Sequence, residues 1–191
     1  RAEAKSDEAL YARRRLAQLY VEHNPWRAAL HLRVVIKSEP DDDGSYATLG
    51  LCHALLGNYR SAVAAYTRAV RLAPTTAWYH HNLGHLLDVA LDQPAEAERH
   101  LRRAASLAGE HDEVLASLAS CLGRLGHLAE AETLIERAIA AAPSKRAHRT
   151  TLAWIEGLLG KSKAKPKKPP ARDDAVRSRL ESSMKLSLIH I

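Results

Sequence analysis

The chain contains no phenylalanine, one methionine and three tryptophans in 191 residues. Strands draw on aromatic and β-branched residues, so this shortage argues against a sheet-built core. Alanine fills the apolar share instead, and alanine is the best helix former and a poor strand former. No apolar run reaches the ~18 residues that suggest a membrane-spanning helix. Cysteine is scarce too: Cys52 and Cys121 stand alone, with no C-x-x-C and no framework of pairs. A reducing, cytoplasmic compartment fits that usage. The chain also lacks H-E-x-x-H, a phosphate loop and a nucleophile elbow, so it is expected to be no enzyme and to need no cofactor. It starts at Arg1 and its one methionine is Met184, which reads as an internal or processed fragment and leaves an upstream export signal open.

Charge is missing from most of the length. Residues 1–160 hold nineteen basic and nineteen acidic side chains, while residues 161–191 hold nine and three, so the whole net charge of +6 lies in the tail. This placement argues against the folded part as a nucleic-acid binder. The segment KSKAKPKKPPARDD is rich in Lys and Pro without helical periodicity and reads as disordered. The closing SSMKLSLIHI fits neither part and resembles translated vector sequence.

What the chain does have is a period. Pro40 ends IKSEP, Pro74 ends VRLAP and Pro143 ends IAAAP, with spacings of 34 and 69 residues. SLAG, ending at Gly109, stands midway in the longer gap. Aligned on this period, Leu49, Leu83 and Leu118 coincide, followed by Gly50, Gly84 and Ala119. Ala62, Ala97 and Ala131 coincide next, then Tyr66, Leu101 and Ile135, then Ala69, Ala104 and Ala138. Gly57 and Gly126 mark turns, and the third segment replaces that glycine with Asp92-Gln93-Pro94 and carries one extra residue. The first segment aligns through Leu16, Ala17, Tyr20, Ala28, Leu32 and Val35 with one deletion, and Asn24-Pro25 stands in its turn.

A 34-residue period with these residues resembles the tetratricopeptide repeat. The resemblance implies an all-α fold, a right-handed superhelical solenoid of about four helix pairs plus a C-terminal capping helix. Units are expected at about 9–42, 43–76, 77–111 and 112–145, with the cap at 146–160 and an array spanning 1–160. The aligned small residues let paired backbones approach closely, the larger ones fill the gap to the next unit, and a single pair cannot bury its apolar face alone. In the cap, Leu152, Ile155 and Leu159 are expected to face inward.

The resemblance further implies that the first helices line a concave groove that takes an extended peptide or a partner helix. The expected lining is Arg14, Gln18, Leu51, Leu55, Trp78, His81, Asn82, His85, Asp88, Ser120, Arg124 and Trp154. Leu51 and Leu55 would form an apolar floor, Trp78 an aromatic anchor, and Asn82 and the arginines would bond peptide amides and carboxylates. Some members grip a C-terminal carboxylate with Lys, Asn and Arg. Here Asn82 matches one such place, but Ala47 and His81 stand where lysines would be, so that specificity is not expected.

Trp78–Asp88, WYHHNLGHLLD, puts His81 and His85 one helical turn apart and facing outward, with Asp88 on the next turn. That is a partial metal geometry without a fourth ligand, and no metal is expected. Cys52 and Cys121 recur at one repeat position and read as buried thiols. A protein or peptide partner is therefore expected, with no membrane span and no nucleic acid at the fold. Two other classes remain: the substrate-recruiting region of a larger protein-modifying enzyme, of glycosyltransferase or hydroxylase type, and a nucleic-acid-associated factor acting through the basic tail.

Overall fold

The computed structural model describes residues 6–161. Most of the expected basic tail lies outside these residues. Among those described, nine α-helices occur and no strand. They are α1 (Asp7–Tyr20), α2 (Pro25–Ser38), α3 (Asp43–Leu55), α4 (Tyr59–Leu72), α5 (Ala77–His85), α6 (Pro94–Ala108), α7 (Asp112–Leu125), α8 (Leu128–Ala141) and α9 (Arg146–Leu158). The chain forms two compact units whose boundary falls after Tyr79, inside α5.

Local chemistry starts four of the helices. In the first unit, Ser6 Oγ accepts from the Ala9 N–H, Asn24 Oδ1 from Arg27 and Asp42 Oδ1 from Ser45. Each such cap is worth about 1 kcal/mol. Pro25 and Pro94 open α2 and α6, where a missing N–H costs nothing. Gly57 and Gly126 end α3 and α7 with φ of 74° and 86°, a region open to glycine at no steric cost.

In the first unit α1 packs on α2, α2 on α3 and α3 on α4. Ala28, Ala62 and Ala69 have no exposed surface, and Tyr66 is almost as deeply buried. A Cβ placed on Gly50 would lie 2.7 Å from the Tyr66 ring, so only glycine lets α3 and α4 come this close. In the second unit α6 packs on α7, α7 on α8, and α8 and α7 both on α9. Ala97, Ala131, Leu101 and Ile135 are fully buried, and a Cβ on Gly84 would lie 2.7 Å from Leu101. The small-residue positions aligned by the period are therefore the helix crossings. Ile155 of the cap is fully buried, while Leu152 and Leu159 are only half-buried.

The extra residue of the third pair is absorbed inside a helix. After His85 the helix widens into a π-turn, Leu86–Ala90, in which the Leu91 N–H bonds back to the Leu86 carbonyl. A π-turn takes up one residue without breaking the helix. Asp92 then adopts φ of 61°, doing what Gly57 and Gly126 do in the neighbouring pairs. Asp tolerates this region better than most residues do.

Replacing Gly50 by Ala is expected to destabilise the first unit by about 1–2 kcal/mol, because the added methyl meets a buried ring. Gly44→Ala, in the same helix, meets only ordinary contact at 3.5 Å. That variant should be stabilising by about 0.5–1 kcal/mol through helix propensity. Urea denaturation of the two variants beside the wild type checks both signs.

Candidate functional site

In the first unit, Arg14 and Gln18 project from α1 onto a small open recess of about 50 Å³, shared with Leu32, Asp42 and Thr48. Arg14 Nε donates to Asp42 Oδ2 at 2.7 Å, and a second guanidinium nitrogen bonds Glu39. Burial raises the Asp42 pKa, but the Arg14 guanidinium and the Ser45 N–H and hydroxyl outweigh it, so the carboxyl titrates below its usual range. Arg14 is thus oriented by two carboxylates while still lining the recess. On α3, Leu51 is buried and Leu55 half-buried, and Trp78 at the start of α5 is half-buried. Tyr79 donates its hydroxyl to Asp43 at 2.8 Å, tying α5 to the start of α3.

In the second unit four of the expected site residues gather on α5 and its π-turn. His81, Asn82, His85 and Asp88 are all buried, with His81 and Asp88 at 2% exposure. Two of them meet polar partners on α7. His81 Nε2 lies 3.0 Å from Ser117 Oγ on α7, and the His81 and His85 rings stack with centroids 6.3 Å apart. Arg124, also on α7, donates to the Asp88 carboxylate at 2.5 Å and to the Asp88 carbonyl at 2.6 Å, and it bonds Asp92. Asp88 is thereby engaged by a cation. Among the described residues no group of three or more His, Cys, Asp or Glu could hold a metal ion. Ser120 and Trp154 are half-buried, and the Trp154 ring sits where a Cβ on Gly123 would lie, 2.6 Å away. Trp154 is therefore partly a packing residue of the cap.

His80 meets His100 of α6 with the two Nδ1 atoms 3.2 Å apart. One must donate and the other accept, so a single proton serves the pair. No spacing rule pointed to His100; the pairing comes from α6 lying against the third pair's first helix. Asp112, at the start of α7, is another group missed. It binds Lys145 at 2.6 Å and His148 at 2.7 Å, and these partners outweigh burial to hold its carboxyl below the usual range. Both thiols are buried and unpaired, and burial pushes each up to about 12. Cys121 Sγ donates to the Pro94 carbonyl at 3.3 Å.

Three arginines of the second helices are engaged on the surface. Arg102 bonds Glu98 and Glu130, Arg137 bonds Glu110, and Arg68 bonds Asp41. Exposed pairs of this kind contribute about 0–1 kcal/mol each. Arg102→Ala is expected to stay within that range. Arg124→Ala, which takes a cation from a buried carboxylate, should lower stability by about 1–3 kcal/mol, read from the same denaturation curves.

The histidines give the stability a pH dependence. His31, His53 and His100 all have lowered pKa values, with burial the first cause in each. Nearby arginines add to it, and for His100 so does His80. Below the ordinary histidine value of about 6.5 the unfolded chain binds more protons than the native one, so stability is full above that pH and falls as pH drops. Urea midpoints should be lower at about pH 5 than at about pH 8, and His100→Gln should flatten part of that slope.

Residues 44–76 and residues 89–155 each match a family model described as a tetratricopeptide repeat. The Protein SGT1 homolog of Bos taurus is 33% identical over 64 residues, 34% of this chain and 19% of that protein. The chain thus spans about a fifth of that relative's length. Among solved structures it is similar to MamA, residues 41 to end, from Desulfovibrio magneticus RS-1, at 17% identity and a TM-score of 0.75, covering 94% of this chain and 96% of that one. It is similar to YrrB, described as a TPR protein with an unusual peptide-binding site, at 19% identity and a TM-score of 0.70, covering 93% and 89%. The first TPR of Spaghetti (RPAP3), bound to the HSP90 peptide SRMEEVD, aligns at 21% identity and a TM-score of 0.58, covering 60% of this chain and 90% of that one. At such identities these structures establish the fold. With its period, its helix pairs and both matched segments in agreement, the chain belongs to the tetratricopeptide repeat family.

Proposed function

We propose that the chain is a protein-interaction module that holds an extended peptide or a partner helix on the inner faces of its first helices. The observation that carries this reading is the polar load on α5 and its π-turn. Five of the eight buried polar residues, among those described, lie between His80 and Asp88. Burying polar groups costs stability unless every one is satisfied, and Leu or Ala would build a helix pair with less risk. A helix that keeps this set has a use for it, and Asn82 is the member we assign to a peptide backbone. In the first unit the contacts offered are Arg14, Gln18, Leu51, Leu55 and Trp78. In the second they are Asn82, Ser120, Arg124 and Trp154, while Ser117 engages His81 and Arg124 engages Asp88. YrrB and the RPAP3 repeat, described as having a peptide-binding site and as bound to a peptide, support the reading by analogy of fold.

The other two classes gain no support. Neither matched model is that of an enzyme domain, and the basic tail that a nucleic-acid factor would use lies almost wholly outside the described residues. No helix among the described residues is long and apolar enough to cross a membrane.

The test is a synthetic peptide library screened against the full chain, followed by titration of the best binder. Asn82→Ala should weaken binding about tenfold or more, as loss of a buried bidentate contact does. Arg14→Ala and Leu55→Lys, at less buried places, serve as variants whose folding is easier to preserve. Unchanged affinity in all three, with unchanged helicity by circular dichroism, would move the site off the first helices.

A further inference from the structure

Residues 1–160 balance in charge as a whole, but the second helices do not share that balance. In the first unit, α2 and α4 carry Arg27, Arg33, Lys37, Arg60, Arg68 and Arg71 and no acidic residue. All are exposed except Arg68, which is half-buried. Arg68 bonds Asp41 and the Pro40 carbonyl, which sets α4 beside the end of α2. In the second unit, α6 and α8 set five glutamates against four arginines. There Arg102 of α6 pairs with Glu130 of α8, and the equivalent repeat positions in the first unit are Arg33 and Ser61. The first unit thus lacks the acid that would neutralise its own face. The acids that follow α2, Glu39 and Asp41, are taken by Arg14 and Arg68. Burial lowers the His53 pKa and Arg33 lowers it further, so the uncompensated charge is felt at a half-buried ring.

Two large apolar residues stand among these cations. Trp26 is 61% exposed and Leu30 43%. With Arg33 and Lys37 they form one stripe of α2 at helical spacing. Their exposure belongs to the repeat position. The equivalents of Trp26 are Arg60, Ala95 and Ala129, those of Leu30 are Ala64, Arg99 and Thr133, and all are exposed although helices precede and follow them. A further repeat ahead of α1 would leave Trp26 and Leu30 uncovered.

We infer that the outer face of α2 and α4 docks on an anionic lipid bilayer, as a surface contact and not a span. Trp26 and Leu30 enter the headgroup region, and the cations meet lipid phosphates and carboxylates. Tryptophan favours the boundary between bilayer and water, and leucine beside it gains apolar contact there. Each cation near such a surface adds to binding without needing one fixed geometry. Among the described residues no ion pair holds Arg33, Lys37, Arg60 or Arg71 in one place, which suits mobile headgroups. A nucleic acid fits this face less well. Base-stacking platforms use successive aromatic rings, whereas the turn after Trp26 offers Leu30, and Tyr20 is stacked on His31 under Arg27.

The full chain should cosediment with phosphatidylserine-containing vesicles, not with pure phosphatidylcholine, and should release as salt is raised. Arg33→Gln, Lys37→Gln and Arg60→Gln should each weaken binding about fivefold, and about a hundredfold together. These variants leave the basic residues of 161–191 untouched, so full binding by the triple variant assigns the contact to that segment and overturns the inference. Lipids brominated near the headgroup should quench tryptophan fluorescence in the wild type. Trp26→Ala should lose most of that quenching and bind about tenfold more weakly. Quenching unchanged in Trp26→Ala overturns the docking face. Equal binding to neutral vesicles, or none to anionic ones at low salt, overturns it too. So does a short DNA duplex that binds more tightly than the vesicles through the same residues. Should Trp26→Ala lose helicity, the triple variant, changed only at exposed places, decides.

Discussion

The distance at which two helix backbones can pass governs this protein. Ala62, Ala97 and Ala131 have no exposed surface, and Gly50 and Gly84 leave no room for a Cβ beside Tyr66 and Leu101. One side of each crossing is therefore a methyl group or a hydrogen, and the larger side chain comes from the other helix. This explains a composition heavy in alanine and empty of phenylalanine. Close crossings gain dispersion contacts along their length, while a large ring on both sides would force the pair apart.

A second, polar layer follows from the same stacking. Tyr79 reaches Asp43, His81 reaches Ser117, Arg124 reaches Asp88 and His148 reaches Asp112, each across 36 residues. That separation is one repeat plus two residues, the offset at which successive first helices lie side by side. These contacts are more buried than the Arg–Glu pairs of the second helices, so they hold orientation where the surface pairs add little. The burial that gives them weight also makes each carboxylate and imidazole dependent on its partner.

The third pair concentrates both themes. It alone carries an extra residue, and the helix accommodates it as a π-turn, with Asp92 in place of the turn glycine. Asp88 lies in that turn, and Arg124 bridges it to Asp92. An insertion that could have disordered a loop is thus held by a cation from the following helix. The same stretch buries His80, His81, Asn82 and His85, which sets it apart from the small and apolar first helix of the second pair.

Sequence by itself determined the period, the helix pairs, the crossing positions and the turns, because each depends on residue size or backbone freedom recurring at a fixed interval. Ala62, Ala97 and Ala131 could be aligned by eye, and all three are buried as aligned. It also showed which residues share a helix face, so His81 and His85 were correctly placed one turn apart. What it could not determine was what that face meets. Whether a histidine is exposed or turned onto Ser117, whether Asp88 is open or held by Arg124, and whether His80 finds His100 depend on side chains 20 to 36 residues away. Only the tertiary structure decided those, since hydrogen bonds and burial are set by distances between helices that no local pattern encodes.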